Sequence, residues 1–428
     1  MSGKFQAPRG TRDVLPGEVE KWQALEDTGR ALSQRYGYRE IRTPIFETTD
    51  LFARGVGESS DIVRKEMYTF EDRKGRSLTL RPEGTAGVAR AVIEAGLARP
   101  DRVHKLFYWG PMFRYDRPQA GRYRQFHQWG AEVVGSANPR ADVEIILLLI
   151  EFLRAIGLTD MTVKLNSVGD ATCRPLYEAK IREVLAPRAG ELCADCRERL
   201  EKNPLRVLDC KVPSCKAIVA GLPPVSESLC EACREHLAAV RQGLDALGVA
   251  YEMDPGLVRG LDYYARTAFE VHHGKLGAQS AVGGGGRYDG LFRLIGGPDV
   301  PAVGFSMGVE RALIALEEEG KGQLPPTVAL YLARGAGLLD DAVRLARDLR
   351  RDFVVHLEFE ERALGGQLRQ ADKLGARFAL ILGEEEAKAG EITIKDLTSG
   401  EQTRVAQADA PAAIRLILQQ EEGARSKA

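Results

Sequence analysis

The feature that most constrains the fold is a run of strand-like segments with no helical pattern between them. Three stretches, rich in aromatic and β-branched residues, carry it: MYTFEDRKGRSLTLRPEG at 67–84, VHKLFYWGPMFRYD at 103–116 and YRQFHQWGAEVVG at 123–135. The first contains a hairpin turn near Lys74 and Gly75, and the other two flank a loop from Pro118 to Gly121. This succession predicts a mainly antiparallel sheet and argues against a dinucleotide-binding fold.

Helical and extended patterns alternate around this sheet. EVEKWQALEDTGRALSQRY at 18–36 has apolar residues at helical spacing, and DVEIILLLIEFLRAIG at 142–157 also predicts a helix. YREIRTPIFETTDLF at 38–52 is predicted as a long extended segment with a bend at Pro44, and MTVKLNSVG at 161–169 as a strand.

A chain of 428 residues is too long for one core, and about two or three domains are expected. The pattern changes to charged helical segments over 171–250, which predicts an insertion between 1–170 and 251–322. Charge, Gly and Pro cluster in EEEGKGQLPP at 317–326, and strands then alternate with helices. We therefore expect a separate small α/β domain at 326–424.

Composition excludes few classes of function. The net charge is −1, which neither indicates nor excludes nucleic acid. No segment approaches the roughly 18 uninterrupted apolar residues of a membrane span, and the most apolar run is broken by Glu151. The N-terminus lacks the apolar core of a signal peptide, so we expect a cytoplasmic protein that does not bind membranes.

The stretch FRYDRPQAGRYRQFHQWGAE at 113–132 combines four arginines with aromatic rings. A guanidinium offers a rigid fork of donors to phosphate or carboxylate oxygens, and flat side chains stack on nucleobases. Arg114, Arg117, Arg122 and Arg124 therefore suit a nucleotide. A solvated hairpin with paired charges is the alternative.

Two further stretches suggest a ligand site. LVRGLDYYARTAFE at 257–270 is fit to be a strand, and an inward Arg259 would need either a core carboxylate or a ligand. In SAVGGGGRYDGL at 280–291, four consecutive glycines contribute nothing to packing and are expected to let the backbone approach a ligand, although a flexible turn is the alternative.

AVGFSMGVERALIAL at 302–316 predicts a strand joined to a helix through Gly308. Arg311, in the first helical turn, could reach a phosphate or be merely solvated. His127 is expected to be packed or hydrogen-bonded rather than a general base.

Six of the seven cysteines fall between Cys193 and Cys233. The paired C-x-x-C steps Cys193/Cys196 and Cys230/Cys233 have the spacing of a tetrathiolate zinc site, with Cys210 and Cys215 as alternates. Reduced thiols in a small helical module are the alternative.

FRYDRPQAGRYRQF, LVRGLDYY, GGGGRYDGL and GFSMGVER, in this order and with YREIRTPIFETTDLF and LTLRPEGT, closely resemble the histidyl-tRNA synthetases, a class II aminoacyl-tRNA synthetase family. The resemblance covers about the whole chain. It implies an α+β fold: a class II antiparallel-sheet catalytic domain with a helical insertion, plus a C-terminal α/β anticodon-binding domain. It also implies a homodimer, formed through a helix and strand like those of 18–52.

The activity implied by the resemblance is that of a histidine-tRNA ligase. Such enzymes join histidine to ATP, giving histidyl-adenylate and pyrophosphate, and then transfer the acyl group to the 3′ end of tRNA(His). By the match, Arg114 and Arg259 would act on the α-phosphate as catalytic residues. ATP-binding residues would be Arg114, Asp116, Arg122, Phe126 and Arg311, with Mg²⁺ bridging the phosphates.

The family's histidine readers are matched by Glu83, Thr85, Gln128, Glu132, Tyr263, Tyr264 and Tyr288. Arg117 and Gln119 match the loop that approaches the tRNA acceptor end. Asp116 departs from the pattern, because many members have glutamate there, and this puts its contact to the adenine amino group in doubt. Any Zn²⁺ is expected to be structural.

A different class of function is a synthetase-like regulatory subunit that senses histidine in histidine biosynthesis. Such paralogues typically lack the anticodon-binding domain and lose catalytic arginines. Arg114, Arg259 and Arg311 are all present in this chain.

Overall fold

The computed structural model of the protein describes residues 5–57, 60–99, 101–321 and 329–425. The chain divides into two compact units, Met1–Gln323 and Leu324–Ala428. Among the described helices, none is both long and apolar enough to cross a membrane.

The first unit contains a large sheet and a small one. Its strands are β1 Arg39–Glu40, β2 Phe46–Thr48, β3 Tyr68–Glu71, β4 Ser77–Leu80, β5 His104–Phe113, β6 Gln125–Val134, β7 Met161–Ser167, β8 Tyr251–Met253, β9 Ala265–His273, β10 Ala281–Arg287 and β11 Ala302–Gly308. The large sheet has the order β1-β5-β6-β11-β10-β9-β7-β8, and the small one β2-β4-β3. Only the edge pairs β1–β5 and β7–β8 of these described strands are parallel, so the predicted antiparallel sheet is confirmed.

Helices fill the intervals between these strands. They are α1 Val19–Arg35, α2 Thr49–Val56, α3 Thr85–Glu94, α4 Pro139–Ala155, α5 Arg174–Leu185, α6 Ala194–Lys202, α7 Pro213–Val219, α8 Glu231–Ala246, α9 Leu291–Leu294 and α10 Val309–Glu318. A π-helical turn spans Ile62–Glu66, and 3₁₀ helices span Ala186–Glu191, Pro204–Val207, Val225–Ser228 and Gly274–Gln279.

Two helices differ from the sequence-based expectation. The segment 38–52 was predicted to be extended throughout, but α2 begins at Thr49, because Leu51, Phe52 and Val56 form one buried helical face. The helix α3 lies between β4 and β5, where no helix was predicted. Its small residues and its buried Val88 and Val92, four positions apart, favour a helix.

The third difference lies before β9. LVRGLDYYARTAFE was predicted to be a strand, but the strand begins only at Ala265. Arg266 has φ 53°, the only positive φ of a non-glycine residue among those that the structure describes. Residues 257–264 therefore form a loop, which brings Arg259 and Tyr264 beside the sheet instead of within it.

The glycine run is a strand in the middle of the sheet, and the expectation that it contributes nothing to packing was wrong. A Cβ on Gly285 would lie 2.0 Å from the carbonyl oxygen of Gly304. A Cβ on Gly284 would lie 3.0 Å from the guanidinium of Arg259, and one on Gly286 3.0 Å from the ring of Tyr264. Missing side chains thus make room for neighbouring strands and for two predicted site residues.

Helices α1 and α4 cover one face of the large sheet. Trp129 on β6 is fully buried, and its ring lies 4.3 Å from that of Phe152 on α4 and 4.9 Å from that of Phe305 on β11. Aromatic packing of this kind buries large apolar areas and gives the site-bearing strands a rigid support.

The second unit has five strands and four α-helices in its described part. They are β12 Ala329–Arg334, α11 Leu339–Leu349, β13 Val354–Leu357, α12 Leu364–Lys373, β14 Phe378–Leu382, α13 Glu384–Ala389, β15 Glu391–Asp396, β16 Gln402–Ala406 and α14 Ala410–Arg425, with a 3₁₀ turn at Gln407–Asp409. The sheet order is β13-β12-β14-β15-β16, parallel up to β14 and antiparallel beyond. The predicted alternation of strand and helix is present, and the final hairpin adds to it.

A fully buried ion pair joins β10 to α4. The guanidinium of Arg287 contacts the carboxylate of Asp142 and donates to the carbonyl oxygen of Ser136 at 2.8 Å. Burial alone would raise the pKa of Asp142, but His236, 3.1 Å away, and Arg287 together hold it below its ordinary value. The pair therefore fixes the end of the glycine strand against the core.

We expect Asp142→Ala to lower the free energy of unfolding by about 3–5 kcal/mol, because it leaves the charge of Arg287 buried and uncompensated. Urea denaturation followed by tryptophan fluorescence measures the change, since all three tryptophans lie in the first unit. Arg188→Ala, which breaks an exposed pair with Glu191, is the control and should have far less effect. A loss no larger than that of the control would contradict the role given to Asp142.

Candidate active site

A cleft of about 670 Å³ opens in the first unit. It is lined by the loop after β5, the start of β6, residues 208–211 and Lys216, the loop 257–264, the strand β10 and the β11–α10 junction. The predicted site residues that line it are Glu83, Arg114, Asp116, Arg122, Phe126, Gln128, Arg259, Tyr263, Tyr264 and Arg311. Segments nearly 200 positions apart in the sequence therefore meet at one place.

Arg114 stands where β5 ends. Its Nε donates to the carbonyl oxygen of Pro82 at 2.8 Å, and its guanidinium lies 5.3 Å from the ring centroid of Phe126. Burial lowers the pKa of Arg114, while the nearby carboxylates of Glu66 and Glu83 oppose that shift. One edge of the guanidinium is thus anchored to the backbone while the side chain faces the cleft.

Arg311 reaches the same space from the first turn of α10. It donates to the carbonyl oxygen of Ala281 at 2.8 Å and to that of Gly121 at 3.2 Å. Burial lowers the pKa of Arg311, and the positive charges of Arg122 and Arg114 lower it further. The three guanidinium groups are therefore close enough to repel one another, and an anion between them would relieve this repulsion.

The loop between β5 and β6 is closed by its own contacts. Asp116 forms an ion pair with Arg122 and accepts a hydrogen bond from the backbone N–H of Arg117 at 2.7 Å. Arg124 stacks on Tyr115 at 3.9 Å. Of the four arginines in this stretch, Arg124 thus serves the loop, whereas Arg114 and Arg122 line the cleft.

Arg117 and Gln119 are exposed at the tip of this loop and do not belong to the cleft lining. The backbone N–H of Gln119 donates to the carbonyl oxygen of Arg122 at 3.1 Å, and the reverse bond is 2.9 Å. These two bonds hold the tip in a tight turn and leave both side chains accessible.

Arg259 contacts a carboxylate and also lines the cleft. Its guanidinium contacts Glu270 on β9 and lies 5.6 Å from the ring of Tyr264. Its buried Nε finds no hydrogen-bond partner among the described residues. The sequence left open whether Arg259 meets a core carboxylate or a ligand. It does meet a carboxylate, that of Glu270, and its side chain also lines the cleft.

Glu270 is a site residue that the sequence analysis did not single out. It lines the cleft, and the Nε2 atom of His272 lies 2.9 Å from its second oxygen. Strand alternation could have identified it, since Glu270 lies among buried neighbours on β9. Glu66 was not singled out either; it does not line the cleft, but its pKa, which burial raises, is lowered by the charge of Arg114.

Thr85, Glu132 and Tyr288 do not line the cleft but form a buried hydrogen-bonded group. The Thr85 hydroxyl donates to one oxygen of Glu132 at 2.8 Å, and the Tyr288 hydroxyl donates to the other. Gly304 leaves space for this carboxylate, because a Cβ there would lie 1.6 Å from its oxygen.

The ring of Tyr263 connects this group to the cleft. It lies 5.6 Å from the ring of Tyr288 and 4.7 Å from that of Tyr264. The three tyrosines pack in one apolar cluster. The predicted histidine readers are thus brought together, partly at the cleft wall and partly behind Tyr263.

Glu83 and Gln128 offer acceptors at the cleft wall. Glu83 accepts the backbone N–H groups of Thr85 at 2.7 Å and Ala86 at 2.8 Å, which caps α3. Burial raises the pKa of Glu83, and these two bonds lower it. The Oε1 atom of Gln128 is buried with no hydrogen-bond partner within the described ranges.

His127 is packed and hydrogen-bonded. Its backbone N–H donates to both oxygens of Glu310, at 2.9 and 3.0 Å, and its Nδ1 lies 3.3 Å from that carboxylate. The ring meets Trp22 edge-on at 4.9 Å. Glu310 thus joins the start of α10 to β6.

The cysteines differ from the predicted arrangement. Cys193 and Cys196 do not gather with Cys230 and Cys233 as one group of four ligands. Their ligand atoms fall into two sets, each within 4.8 Å: Cys193, Cys196, Cys210 and Cys215, and Asp170, Cys173, Cys230 and Cys233. The two C-x-x-C steps begin different helices, α6 and α8, and each step meets other ligands there.

Known proteins resemble this chain over most of its length. A family model described as histidyl-tRNA synthetase matches residues 10–312, and one described as anticodon binding domain matches residues 327–416. The histidine–tRNA ligase of Moorella thermoacetica is 52% identical over 403 residues, covering 93% of this chain and 95% of that protein. That of Desulforudis audaxviator is 52% identical over 400 residues, covering 93% and 95%.

Solved structures agree. The crystal structure of apo histidyl-tRNA synthetase from S. aureus has a TM-score of 0.80 and 37% identity, covering 96% of this chain and 99% of that one. The family model, the relatives and the shared fold cover the two units described above. The chain belongs to the histidyl-tRNA synthetase family, within the class II aminoacyl-tRNA synthetases.

Proposed function

We propose that this protein is a histidine-tRNA ligase whose cleft joins histidine to ATP and then transfers the acyl group to the 3′ end of tRNA(His). Family membership supports the reaction class. The single observation that carries the proposal is the convergence of Arg114, Arg122, Arg259 and Arg311, from three distant segments, on one partly buried cleft. A triphosphate is the ligand that such a charge distribution favours.

Adenylation needs positioning and charge neutralisation more than proton transfer. The histidine carboxylate attacks a phosphorus surrounded by negative oxygens, so cationic groups must offset the charge that develops. Arg114 and Arg259 hold the α-phosphate from different elements, and Arg114 also receives the incoming carboxylate. Arg122 and Arg311 bind the outer phosphates, and Phe126 stacks on the adenine.

Divalent metal use is general in the synthetase family, and we propose that the ion in this cleft is magnesium. Mg²⁺ takes one or two carboxylates and otherwise phosphate and water oxygens. That fits the described lining, whose carboxylates belong to neither of the two converging groups of ligand atoms. Asp116 and Glu270 lie beside the arginines and would hold it, and it would neutralise charge on the outer phosphates. The adenylation chemistry needs no zinc, and any zinc bound by the cysteines would be structural.

Histidine is read by the group around Glu132. Burial raises the pKa of Glu132 to about 8, against the hydrogen bonds from Tyr288 and Thr85 that lower it. An imidazole N–H donated to this carboxylate favours its ionised form. Tyr264 reads the other ring nitrogen, with Tyr263 and Tyr288 alongside. Glu83, Thr85 and Gln128 hold the α-amino and carboxylate groups.

The remaining assignments concern the tRNA and the assembly. Arg117 and Gln119, exposed at the loop tip, contact the acceptor end, and 326–424 binds the anticodon. Residues 1–170 and 251–322 form the catalytic domain, with 171–250 as a module inserted into it. Residues 18–52 form the contact of a homodimer, and the protein acts in the cytoplasm, where tRNA is charged.

The regulatory-subunit alternative is disfavoured. Arg114, Arg259 and Arg311 are present and line the cleft, and the second unit matches a family model described as anticodon binding domain. Both features are typical of a ligase.

We expect Arg259→His to reduce histidine-dependent exchange of pyrophosphate into ATP by about 10²–10³-fold or more, because the α-phosphate loses one of its two cationic partners. ATP binding, measured by calorimetry, should remain detectable, since Arg122 and Arg311 are unchanged.

The matched control is Arg293→His, on α9, whose side chain is 68% exposed and pairs with Asp299. It should exchange at the wild-type rate. Near-normal exchange by Arg259→His would refute the role of that residue, and absence of exchange in wild-type protein would favour the regulatory subunit.

Glu132 should also make stability depend on pH. Its pKa in the folded protein, about 8, lies above the ordinary value of 4.5. The folded state therefore binds more protons between these values, and its stability falls as the pH rises from about 4.5 to 8. We expect Glu132→Gln to remove this fall, which should amount to a few kcal/mol at about 1.4 kcal/mol per pKa unit.

Urea denaturation at several pH values tests this expectation. The quantity to compare is the difference in free energy of unfolding between Glu132→Gln and wild type at each pH. Glu252→Gln removes a carboxylate from an exposed position and serves as the control. A difference that stays constant across the window would show that Glu132 is ionised in the folded protein throughout.

A further inference from the structure

The four cysteines of the first set come from two neighbouring helices and the turn between them. Cys193 is the N-cap residue of α6 and Cys196 lies in its first turn. Cys210 and Cys215 lie just before and within α7. The Sγ atoms of Cys193 and Cys210 are 3.9 Å apart, and the backbone N–H of Cys193 points at the Sγ atom of Cys215 at 3.2 Å.

The second set joins the two ends of the inserted segment. Asp170 and Cys173 lie between β7 and α5, and Cys230 and Cys233 lie at the start of α8. The Sγ atoms of Cys173 and Cys233 are 3.7 Å apart. One oxygen of Asp170 is 3.6 Å from the Sγ atom of Cys173 and 3.8 Å from that of Cys230.

These separations are those of ligands around one tetrahedral zinc ion. With Zn–S bonds of about 2.3 Å, two thiolates of a tetrahedron are about 3.8 Å apart. With a Zn–O bond of about 2.1 Å, a thiolate and a carboxylate oxygen are about 3.6 Å apart. Disulfide sulfurs would be at about 2.05 Å, so the sets are not disulfides. All seven cysteines of the chain belong to the two sets.

The type and arrangement of the ligands indicate which metal the two sets would bind. Both C-x-x-C steps begin a helix, where backbone N–H groups and the helix dipole stabilise negative charge. Soft thiolates in tetrahedral arrangement select zinc or an iron–sulfur cluster, and a carboxylate ligand in the second set favours zinc.

We propose that the chain binds two structural zinc ions: one held by Cys193, Cys196, Cys210 and Cys215, and one held by Asp170, Cys173, Cys230 and Cys233. The first ion ties α6 to α7 within the inserted segment. The second ties the start of that segment to the start of α8, its last helix, with Cys173 and Cys233 60 positions apart, and so closes the base of the insertion.

Residues of the second set and their neighbours also contact the segment that carries Tyr264. Asp170 forms an ion pair with Arg266 at 3.5 Å, and Gly169 accepts the backbone N–H of Arg266 at 2.7 Å. Arg174, one residue beyond Cys173, donates to the carbonyl oxygen of Tyr264. These contacts at the base of the insertion therefore support the loop that carries Tyr264.

Metal content of the full-length protein, purified in reductant without chelator, tests the proposal. We expect two zinc ions per chain and no iron by plasma mass spectrometry. Cys215→Ser and Cys173→Ser should each retain one zinc, lost from different sets, and the double variant none. Thr172→Ala is the matched control, because the backbone and not the side chain of Thr172 contacts Asp170, and it should retain two.

If a variant fails to fold, the thiol reactivity of the wild-type protein provides a second test of the proposal. Reaction of all seven thiols with a disulfide reagent should be slow and should release two zinc ions, detected with a colorimetric indicator. Chelation should accelerate proteolysis within 171–250 several-fold. Fewer than two zinc ions per chain, rapid reaction of the native thiols, iron in place of zinc, or two zinc ions retained by Cys173→Ser would each overturn the proposal. None of these outcomes depends on catalytic activity.

Discussion

Repulsion among guanidinium groups is the constraint on which the site depends. Burial and the charge of Arg122 both lower the pKa of Arg114 and of Arg311, so these side chains are held together against their own charge. Carbonyl oxygens of Pro82, Ala281 and Gly121 supply acceptors that offset this cost. An anionic ligand would offset it further, which is why we propose that the cleft binds phosphate groups.

The same motifs contain arginines that serve the fold, and their partners distinguish the two kinds. Arg287 is fully buried against Asp142, and Arg81 gives its donors to the carbonyl oxygens of Pro111 and Thr43. Arg259 differs from both. Glu270 contacts its guanidinium, but its Nε has no hydrogen-bond partner among the described residues, and the side chain lines the cleft. A sequence motif does not distinguish arginines that pair within the fold from arginines that line the cleft. The three-dimensional contacts do.

The sequence allowed much of the fold to be predicted, because the long strands and amphipathic helices have clear periodicity. The hairpin from β3 to β4, the pair β5–β6 and the passage from β11 to α10 are examples. Tertiary context decided the rest: α3 is a short helix with a cap supplied by Glu83, and β9 starts late because Arg266 turns the chain.

For the site, the resemblance identified the cleft arginines and the tyrosines beside them, but not the residues that pair with them. Glu270 and Asp142 carry no motif, and their roles follow from where the sheet places them. The cysteine spacing indicated a metal site, yet spacing along the chain could not assign the pairs. Which thiols meet is set by the helices between them, and Asp170 carries no signal in the sequence.

The most direct test of the central claim is a crystal structure of the protein with a sulfamoyl analogue of histidyl-adenylate. The account predicts the guanidinium groups of Arg114 and Arg259 within about 3.2 Å of the sulfamoyl oxygens, on different sides, with the imidazole between Glu132 and Tyr264. An analogue bound away from these arginines, or held with Arg259 still turned wholly to Glu270, would contradict it.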